Sequence, residues 1–289
     1  MKDLVSVILP VFNAEKYIKE CIESLLSQSY TNMEIIIIND GSTDGSDRII
    51  STFLNDKRIL YIKRDNRGLV YSLNEGISKS KGVYIARMDA DDICFPERLQ
   101  KQVDFFNSNK GYGLVGCRVF LINEEGERIG KCYRPLTDIA IKTYALYGSP
   151  FAHPSVMFNT TVIPKNELVY DSEFYPIEDL NLWLDLIEKY KSKNIKERLL
   201  SYRICDTSIS TLNQKKQRSK AISLRLYKYK ETNFIDIIKA RDNLNDGELL
   251  KFLKGFFISI ANADLSLSET LSIYVKIIRS KLIRDIRRK

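Results

Sequence analysis

The feature that most restricts the fold is an alternation of short apolar runs and amphipathic stretches along the first third of the chain. The runs have the length of strands, and the second is almost wholly apolar, which is typical of a parallel strand covered on both faces. The strand-like runs span residues 5–9, 34–38, 59–63 and 83–88, and the helix-like stretches span residues 14–27, 44–54 and 69–80. Successive strand–helix units predict an α/β fold with a doubly wound, mostly parallel sheet.

After the fourth strand the pattern changes. We predict helices over residues 95–107 and 177–189, antiparallel strands over 114–123 and 128–133, and a further strand over 198–204. From about residue 215 onward the sequence is helical in pattern and lacks strand signals. We therefore predict a catalytic domain over residues 1–212, with a nucleotide-binding half (about 1–92) and an acceptor half (about 93–212), followed by a helical extension over 213–289.

The residue composition excludes several classes of enzyme. The 289 residues include one histidine, His153, which excludes His-x-x-x-His zinc hydrolases and two-histidine iron sites and disfavours a Ser-His-Asp triad. The five cysteines form no Cys-x-x-Cys pair and fit neither a zinc site nor a disulfide framework. We expect carboxylates to perform any acid–base chemistry.

Targeting signals and net charge bear on location and partners. The sequence begins without the apolar segment of a secretory signal, and no apolar run reaches the roughly 18 residues of a membrane-spanning helix. We therefore predict a cytoplasmic protein. The formal charge of +8 suits phosphate-bearing ligands, an anionic membrane or nucleic acid, and does not choose among them.

Polar residues follow three of the predicted strands, at residues 10–13, 39–44 and 89–92. In an open α/β sheet, ligands bind outside the carboxyl ends of the strands, so these three segments are expected to share one site. No Gly-x-Gly-x-x-Gly follows the first strand and no Gly-Lys-Ser/Thr occurs, so dinucleotide and P-loop sites lack their phosphate-binding glycines.

The acidic segment is the strongest signal for a ligand. Asp89, Asp91 and Asp92 are so close that each would raise the pKa of the others unless a cation neutralises them. Carboxylate oxygens suit Mn2+ or Mg2+, which keeps coordination positions open for the phosphates of a ligand. The alternative is a solvated turn with one aspartate capping the helix near Phe95. The place of the segment after the fourth strand favours a metal site.

Two further residues are candidates for binding a nucleobase. Asp40 stands at the end of the second strand, where its carboxylate would accept a hydrogen bond from a base N–H. Arg67 would stack on the same base or donate to it. The alternatives are a turn and helix cap around Asp40 and an exposed loop arginine at position 67.

Several ordered motifs resemble the family 2 glycosyltransferases. They are V-S-V-I-L-P-V-F-N at residues 5–13, N-D-G-S-T-D-G-S at 39–46, N-R-G at 66–68, N-E-G at 74–76, M-D-A-D-D at 88–92 and E-D-L-N-L-W-L at 178–184. The resemblance covers roughly residues 3–210. It implies a GT-A fold and inverting transfer of a sugar from a nucleotide-diphosphate donor, most often a uridine diphosphate sugar.

The resemblance also implies roles for individual residues. Asp91 would bind the metal, Asp179 would be the general base, and Glu178 would orient the base or the acceptor. Asp92 and His153 would contact substrate. The implied donor-binding residues are Pro10, Val11, Phe12, Asn13, Asp40, Arg67, Asp89, Ala90 and Arg203. The alternative for Glu178 and Asp179 is that they only stabilise a helix N-terminus.

The chain departs from the family pattern at one position. Cys205 stands where members often have the histidine of Tyr-Arg-x-His, a basic stretch that helps to bind the diphosphate. Arg203, Lys215 or Lys216 would have to replace that contact, or the contact is weaker. His153 lies in F-A-H-P-S, which resembles a segment of many capsule and O-antigen transferases; the alternative for it is a hydrogen-bonded structural histidine.

The last segment, residues 271–289, has an apolar stripe at helical spacing and basic residues over most of the remaining surface. Such a helix can lie on an anionic membrane, or it can pack on the catalytic domain with a solvated basic face. Membrane contact would suit an acceptor sugar on a polyprenyl-linked lipid, as is frequent in the family. The basic residues have no interleaved stacking aromatics, so we do not expect nucleic-acid binding.

Two other functions compete with sugar transfer. A sugar nucleotidyltransferase also combines an α/β sheet with a carboxylate-bound metal, but it should have a glycine-rich loop after the first strand, where this chain has Val-Phe-Asn-Ala at 11–14. A non-catalytic relative that binds nucleotide sugar or lipid is disfavoured by the presence of both Asp91 and Asp179.

Overall fold

The computed structural model describes residues 3–146, 148–205 and 213–228. They form a single nine-stranded mixed sheet with helices on both faces, in the strand order β3-β2-β1-β4-β8-β6-β9-β5, with β7 paired to β6. The first four strands are parallel to one another, as the alternating pattern predicts. They are β1 (Val5–Val11), β2 (Met33–Asp40), β3 (Ile59–Arg64) and β4 (Tyr84–Arg87).

The parallel part of the sheet is buried from both sides. The four isoleucines Ile35, Ile36, Ile37 and Ile38 are fully buried in β2, and they alternate between the two faces because successive side chains of a strand point in opposite directions. One face packs on α1 (Ile18–Leu26), α2 (Ser46–Ser51) and α4 (Arg98–Ser108). The other packs on α3 (Leu69–Lys79), α5 (Asp138–Ala145), α6 (Glu178–Lys189) and α7 (Gln214–Lys228).

Glycine allows α3 to approach the sheet closely. A Cβ atom at Gly76 would lie 2.4 Å from Cγ2 of Ile8 on β1. A larger residue would therefore push α3 away from the sheet, and the loop before α3 would move away from the strand ends.

The second half of the sheet is longer than the sequence indicates. β6 (Tyr112–Ile122) pairs in parallel with β9 (Lys191–Arg203), in antiparallel fashion with β7 (Arg128–Cys132), and also with β8 (Met157–Asn159). The strand β5 (Ile93–Cys94) adds to the far edge of β9.

The prediction of a strand over 198–204 was therefore wrong at its start, and β8 and α5 were not predicted. Polar residues at buried positions explain the missed half of β9. Ser192 and Asn194 are fully buried, and the Asn194 side-chain amide donates to the carbonyl oxygens of Pro135 at 2.7 Å and Pro150 at 3.0 Å.

The helical extension begins with α7, whose Lys228 forms an ion pair with Asp185 of α6. The predicted border at residue 212 stays a prediction, since residues 206–212 are not described. No helix among the described residues is long and apolar enough to cross a membrane. The amphipathic segment 271–289 lies outside the described residues, and its membrane contact stays a prediction.

Candidate active site

A cleft of about 1510 Å³ lies at the carboxyl ends of β1, β2 and β4. Both halves of the catalytic domain and one face of α7 line it, so the cleft is where the predicted donor and acceptor residues meet. Twelve of the predicted site residues line the cleft: Pro10, Val11, Phe12, Asn13, Asp40, Asp89, Ala90, Asp91, His153, Glu178, Asp179 and Arg203. Arg67 and Asp92 are not among its lining residues.

The acidic loop after β4 brings three carboxylates together. One ligand atom from each of Asp89, Asp91 and Asp92 lies within 4.8 Å of the other two. Burial and the neighbouring carboxylate of Asp89 raise the pKa of Asp91 to about 6. A group of hard oxygen donors whose charges repel one another in a buried setting fits a divalent cation such as Mn2+ or Mg2+, which would neutralise them.

Asp92 does not occupy the position predicted for a substrate contact. Its side chain is 1% exposed, and Oδ1 accepts a hydrogen bond from the backbone N–H of Arg203 at 2.8 Å. Burial and the charges of Asp91 and Asp89 raise its pKa. The turn after β4 directs this carboxylate towards β9 and leaves Asp89 and Asp91 on the cleft, and a substrate contact of Asp92 stays a prediction.

A buried arginine lies between the acidic loop and the acceptor half. Arg87, the last residue of β4, lines the cleft, is 4% exposed and forms an ion pair with Asp89. Its positive charge favours the ionised forms of Glu178 and Asp179. Nε and Nη1 are buried and have no hydrogen-bond partner among the described residues.

The loops after β1 and β2 are joined by Asn13. This residue adopts a left-handed backbone with φ of 49°, and its Oδ1 accepts a hydrogen bond from the Thr43 N–H at 2.8 Å. Its own N–H donates to the Ser42 hydroxyl at 3.1 Å. Phe12, beside it, is 52% exposed and lines the cleft, so its ring is available to a ligand.

Asp40 is held by two basic residues. Its Oδ1 accepts a hydrogen bond from the Arg67 backbone N–H at 2.8 Å and pairs with the Arg64 guanidinium. Arg64 also donates to Glu75 Oε2 and Ser72 Oγ, each at 2.8 Å. The Asp40 carboxylate, which is 3% exposed, therefore positions the loop around residue 67 as well as lining the cleft.

The side chain of Arg67 does not lie where a base-stacking residue is expected. Its Nη1 donates to the Tyr71 hydroxyl at 2.7 Å, and its guanidinium carbon lies 4.9 Å from the centre of the Tyr71 ring. The backbone N–H of Arg67 is bound to Asp40 inside the loop. The Arg67 side chain therefore lies against Tyr71 of α3 and outside the cleft lining, and its contact with a nucleobase stays a prediction.

Glu178 and Asp179 occupy the first turn of α6. Burial and the adjacent Asp179 raise the pKa of Glu178 to about 7, and burial raises the pKa of Asp179. Oδ1 of Asp179 accepts a hydrogen bond from the N–H of Leu180 at 2.6 Å. A carboxylate with a raised pKa in a cleft is suited to taking up a proton near neutral pH.

Comparison with known proteins decides the family. The family model "Glycosyl transferase family 2" matches residues 6–162. EpsE of Bacillus subtilis, named as a glycosyltransferase, is 36% identical over 205 residues, which cover 69% of this chain and 72% of EpsE. WbnJ of Escherichia coli, an O-antigen biosynthesis glycosyltransferase, is 33% identical over 251 residues, which cover 82% of this chain and 94% of WbnJ. The chain is a family 2 glycosyltransferase.

Solved structures agree with this family and its GT-A fold. Staphylococcus aureus TarS 1-349 in complex with UDP-GlcNAc matches with a TM-score of 0.65 at 15% identity, over 87% of this chain and 79% of TarS. The mannosyltransferase PcManGT of Pyrobaculum calidifontis, in complex with GDP-Man and Mn2+, matches with a TM-score of 0.63 at 15% identity, over 97% and 81% of the two chains. Glycosyltransferase family membership sets aside the nucleotidyltransferase alternative.

The guanidinium of Arg203, which was predicted to bind the donor, contacts protein groups of the glycosyltransferase. Its Nε donates to the Asp91 carbonyl oxygen at 2.7 Å, and its Nη1 donates to the carbonyl oxygens of Asn123 at 3.0 Å and Glu124 at 2.9 Å. Nη2 pairs with Glu20 at 2.8 Å. Because the guanidinium is committed to these contacts and almost fully buried, Arg203 supports the acidic loop instead of presenting a free fork to a diphosphate.

His153 combines the two interpretations given to it. Its Nε2 hydrogen-bonds the Tyr170 hydroxyl at 2.9 Å, and its ring packs edge-on against Trp183. Burial, with a contribution from Arg87, lowers its pKa well below the usual range, so the ring is neutral. His153 still lines the cleft, where a neutral imidazole can hydrogen-bond but does not contribute a positive charge.

Four arginines of the site were not predicted: Arg87, Arg134, Arg218 and Arg225. All four line the cleft. Arg87 carried a signal, since a charged residue ends an otherwise apolar strand two positions before Asp89. Arg134 and Arg225 lie in segments without a family motif, and only the fold brings them to the cleft.

Proposed function

We propose that this glycosyltransferase moves a sugar, with inversion, from a UDP-sugar to an acceptor hydroxyl in the synthesis of a bacterial surface polysaccharide or glycoconjugate. The observation that carries the proposal is that Asp89 and Asp91 line the same cleft as Glu178 and Asp179. Donor and acceptor can therefore meet there. The name of WbnJ supports the surface-polysaccharide role, and the UDP-GlcNAc complex of TarS supports the uridine donor.

The donor would occupy the loops after β1, β2 and β4. Residues 10–13 and Asp40 would hold the nucleoside, and Asp89 with Ala90 would contact the ribose or the sugar. Asp91 would hold Mn2+ or Mg2+, which supplies positive charge for the departing diphosphate. Arg203 would keep the acidic loop in place through its bond to the Asp91 carbonyl oxygen.

The acceptor hydroxyl would be activated by Asp179. In the transfer step the acceptor oxygen forms a bond to the anomeric carbon while the bond from that carbon to the phosphate oxygen breaks. The proton of the hydroxyl passes to the Asp179 carboxylate, and UDP departs with the electron pair of the broken bond. Attack from the face opposite the leaving group inverts the anomeric configuration.

Calorimetric titration tests the donor site. We expect UDP to bind more tightly with Mn2+ than without it, and we expect Asp91→Asn to abolish this gain. Asp104→Asn, an exposed aspartate on α4, is the matched control and should behave as wild type. A parallel titration with GDP shows whether the site prefers uracil or guanine as the nucleobase. Failure of every nucleoside diphosphate to bind would contradict the proposal.

Activity measurements test the general base. With UDP-sugars as donors, Asp179→Asn should retain UDP affinity while turnover, including slow donor hydrolysis, falls by about 10²–10⁴-fold. The anomer released, followed by NMR, reports the stereochemistry. A product with retained configuration would overturn the inverting mechanism.

A location on the inner face of the membrane is part of the proposal, and the basic amphipathic sequence of residues 271–289 supports it. We expect the full chain to sediment with vesicles of anionic phosphatidylglycerol and to stay in solution with phosphatidylcholine. Charge reversal at Arg284, Arg287 and Arg288 should release it. Equal binding to both vesicle types would contradict an electrostatic contact.

A further inference from the structure

One face of α7 presents cations to the cleft. Lys215, Arg218, Ile222 and Arg225 all line it, and their spacing of three, four and three residues places them on one side of the helix. We call Lys215, Arg218 and Arg225 the basic stripe. It follows the family motifs in sequence, and the donor site proposed above does not use it.

Other residues of α7 fix the helix to the catalytic domain. Gln217 Nε2 donates to the Pro176 carbonyl oxygen at 3.0 Å, and Lys220 Nζ donates to the Tyr175 carbonyl oxygen at 2.9 Å. Leu224 is buried in the core, and Lys228 pairs with Asp185 of α6. These contacts anchor α7 beside the segment that leads into Glu178 and Asp179, so the basic stripe has a defined position near the proposed base.

Arg225 of the basic stripe and a fourth cation, Arg134, are anchored to the acceptor half. Arg225 is 4% exposed, and its Nε donates to the Ala145 carbonyl oxygen, at the end of α5, at 2.7 Å. Arg134 lines the same cleft and its Nη1 donates to the Tyr133 carbonyl oxygen at 2.9 Å. Its charge favours the ionised form of Asp179. Both arginines are thus bound to elements outside the β1–β4 half that would hold the donor.

This arrangement suits an acceptor that is itself an anion. A negatively charged acceptor would be repelled by Glu178 and Asp179 unless cations beside them offset that repulsion. Guanidinium groups bind phosphate oxygens in pairs and keep their charge when buried. Four cations can balance the charge of a phosphate or diphosphate, which exceeds that of a single carboxylate.

We propose that the acceptor carries a phosphate group, and that the basic stripe together with Arg134 binds this group while the hydroxyl to be glycosylated lies at Asp179. This rests on the proposed function, because it takes Asp179 as the base. A lipid-linked sugar diphosphate and a soluble sugar phosphate share this chemistry. In either case the cations act on binding and orientation, and the proton transfer is left to Asp179.

The test measures binding of four acceptor probes by NMR titration to the full chain saturated with Mn2+ and UDP, which occupies the donor site. The probes are N-acetylglucosamine 1-phosphate, farnesyl-diphosphate-linked N-acetylglucosamine, methyl glucuronide and methyl N-acetylglucosaminide. We expect both phosphate probes to bind at least about tenfold more tightly than the neutral glycoside. Tighter binding of the farnesyl probe would identify the lipid as the source, and equal binding would identify the sugar phosphate.

Variants show whether the basic stripe is responsible. Arg218→Met and Arg134→Met should each weaken the phosphate probes by about tenfold and leave UDP affinity and the neutral probe unchanged. Lys196→Met, at an exposed lysine of β9 outside the cleft lining, is the matched control. Arg225→Lys, which keeps the charge of the buried position, should fold and weaken binding less.

Three results would overturn the inference: equal binding of phosphate and neutral probes, equal behaviour of Arg218→Met and Lys196→Met, or a loss of UDP affinity in Arg218→Met that matches its loss for the probes. The last would assign the basic stripe to the donor diphosphate. The titrations are repeated without UDP, so they decide the question even if UDP does not bind. Absence of UDP binding to wild type would count against the proposed function alone.

Discussion

The Nε atom of Arg203 donates a hydrogen bond to the backbone carbonyl oxygen of Asp91 at 2.7 Å, which connects the end of β9 to the acidic loop. Arg203→Met removes this bond, two bonds to carbonyl oxygens of the β6–β7 turn and the ion pair with Glu20. We expect a loss of about 2–4 kcal/mol in the free energy of unfolding, since each hydrogen bond from a charged group contributes roughly 1.5–3 kcal/mol and some are replaced by water.

Thermal unfolding checks this prediction, with the melting temperature falling by about 5–10 °C. The stabilisation by UDP with Mn2+ should fall as well, because the loop that carries Asp91 loses its support. Lys131→Met, at an exposed position of β7, is the control for loss of a cation. A variant that melts like wild type would show that Arg203 does not support the loop.

Removal of the buried Arg87 charge should change the pH dependence of activity. Arg87 favours the ionised form of Asp179, so Arg87→Met raises the pKa of the proposed base further. A general base acts in its ionised form. The rising limb of the plot of kcat/KM against pH should therefore move to higher pH, by about one pH unit. Arg87→Lys retains the charge and should shift the limb less. A lower kcat/KM with an unmoved limb would mean that Arg87 acts only on folding or ligand contact.

Glu178 should make the protein less stable as the pH rises through neutrality. Its pKa is raised from 4.5 to about 7, so between these values the folded chain binds more protons than the unfolded chain. The free energy of unfolding consequently falls with rising pH in this window. Glu178→Gln removes this term, and its melting temperature at pH 8 should exceed that of wild type, while the two converge near pH 4.5. Glu188→Gln, an exposed glutamate on the same helix, should not change the slope.

Replacement of Arg64 should destabilise the protein, whereas replacement of the nearby Arg67 should have little effect on UDP affinity. Arg64→Met leaves the buried Asp40 carboxylate and the partly buried Glu75 carboxylate without their cation, and we expect a loss of about 3 kcal/mol or more in stability. Arg67→Met removes an exposed contact to Tyr71 and should change UDP affinity by less than about threefold. Chemical denaturation and calorimetry measure the two quantities. A tenfold loss of UDP affinity in Arg67→Met would instead support the predicted contact between Arg67 and the nucleobase.

The strands and the acidic cluster could be predicted because their signals are local. Each apolar run of β1 to β4 can be recognised from its own segment of sequence, and three aspartates close in sequence repel one another in any fold. The directions of Asp92 and Arg203 depend on a pairing between positions more than 100 residues apart: the Asp92 carboxylate accepts the Arg203 backbone N–H. No pattern in either segment indicates that contact.

The start of β9 and the basic stripe were missed for related reasons. Ser192 and Asn194 are polar, yet both are buried. Ser192 is bonded to Asp138 of α5 and Asn194 to the loop at Pro135, which only the tertiary fold brings near, so the alternation expected of a strand is absent. Lys215 was predicted only as one of several alternatives for the diphosphate contact, and Arg218 and Arg225 lie in no family motif. Whether a basic helix face meets water or a cleft depends on how α7 packs, and helical periodicity alone contains no information about that choice.

The pairing of β9 with β6 and β5 has a consequence for the order in which the protein matures during synthesis. The first four strands are contiguous in the chain and can assemble as soon as they leave the ribosome. The acidic loop, however, receives its support from Arg203, which is translated more than a hundred residues after Asp92. A nascent chain therefore forms its four parallel strands early, and its acidic loop gains the support of Arg203 only after β9 has been synthesised.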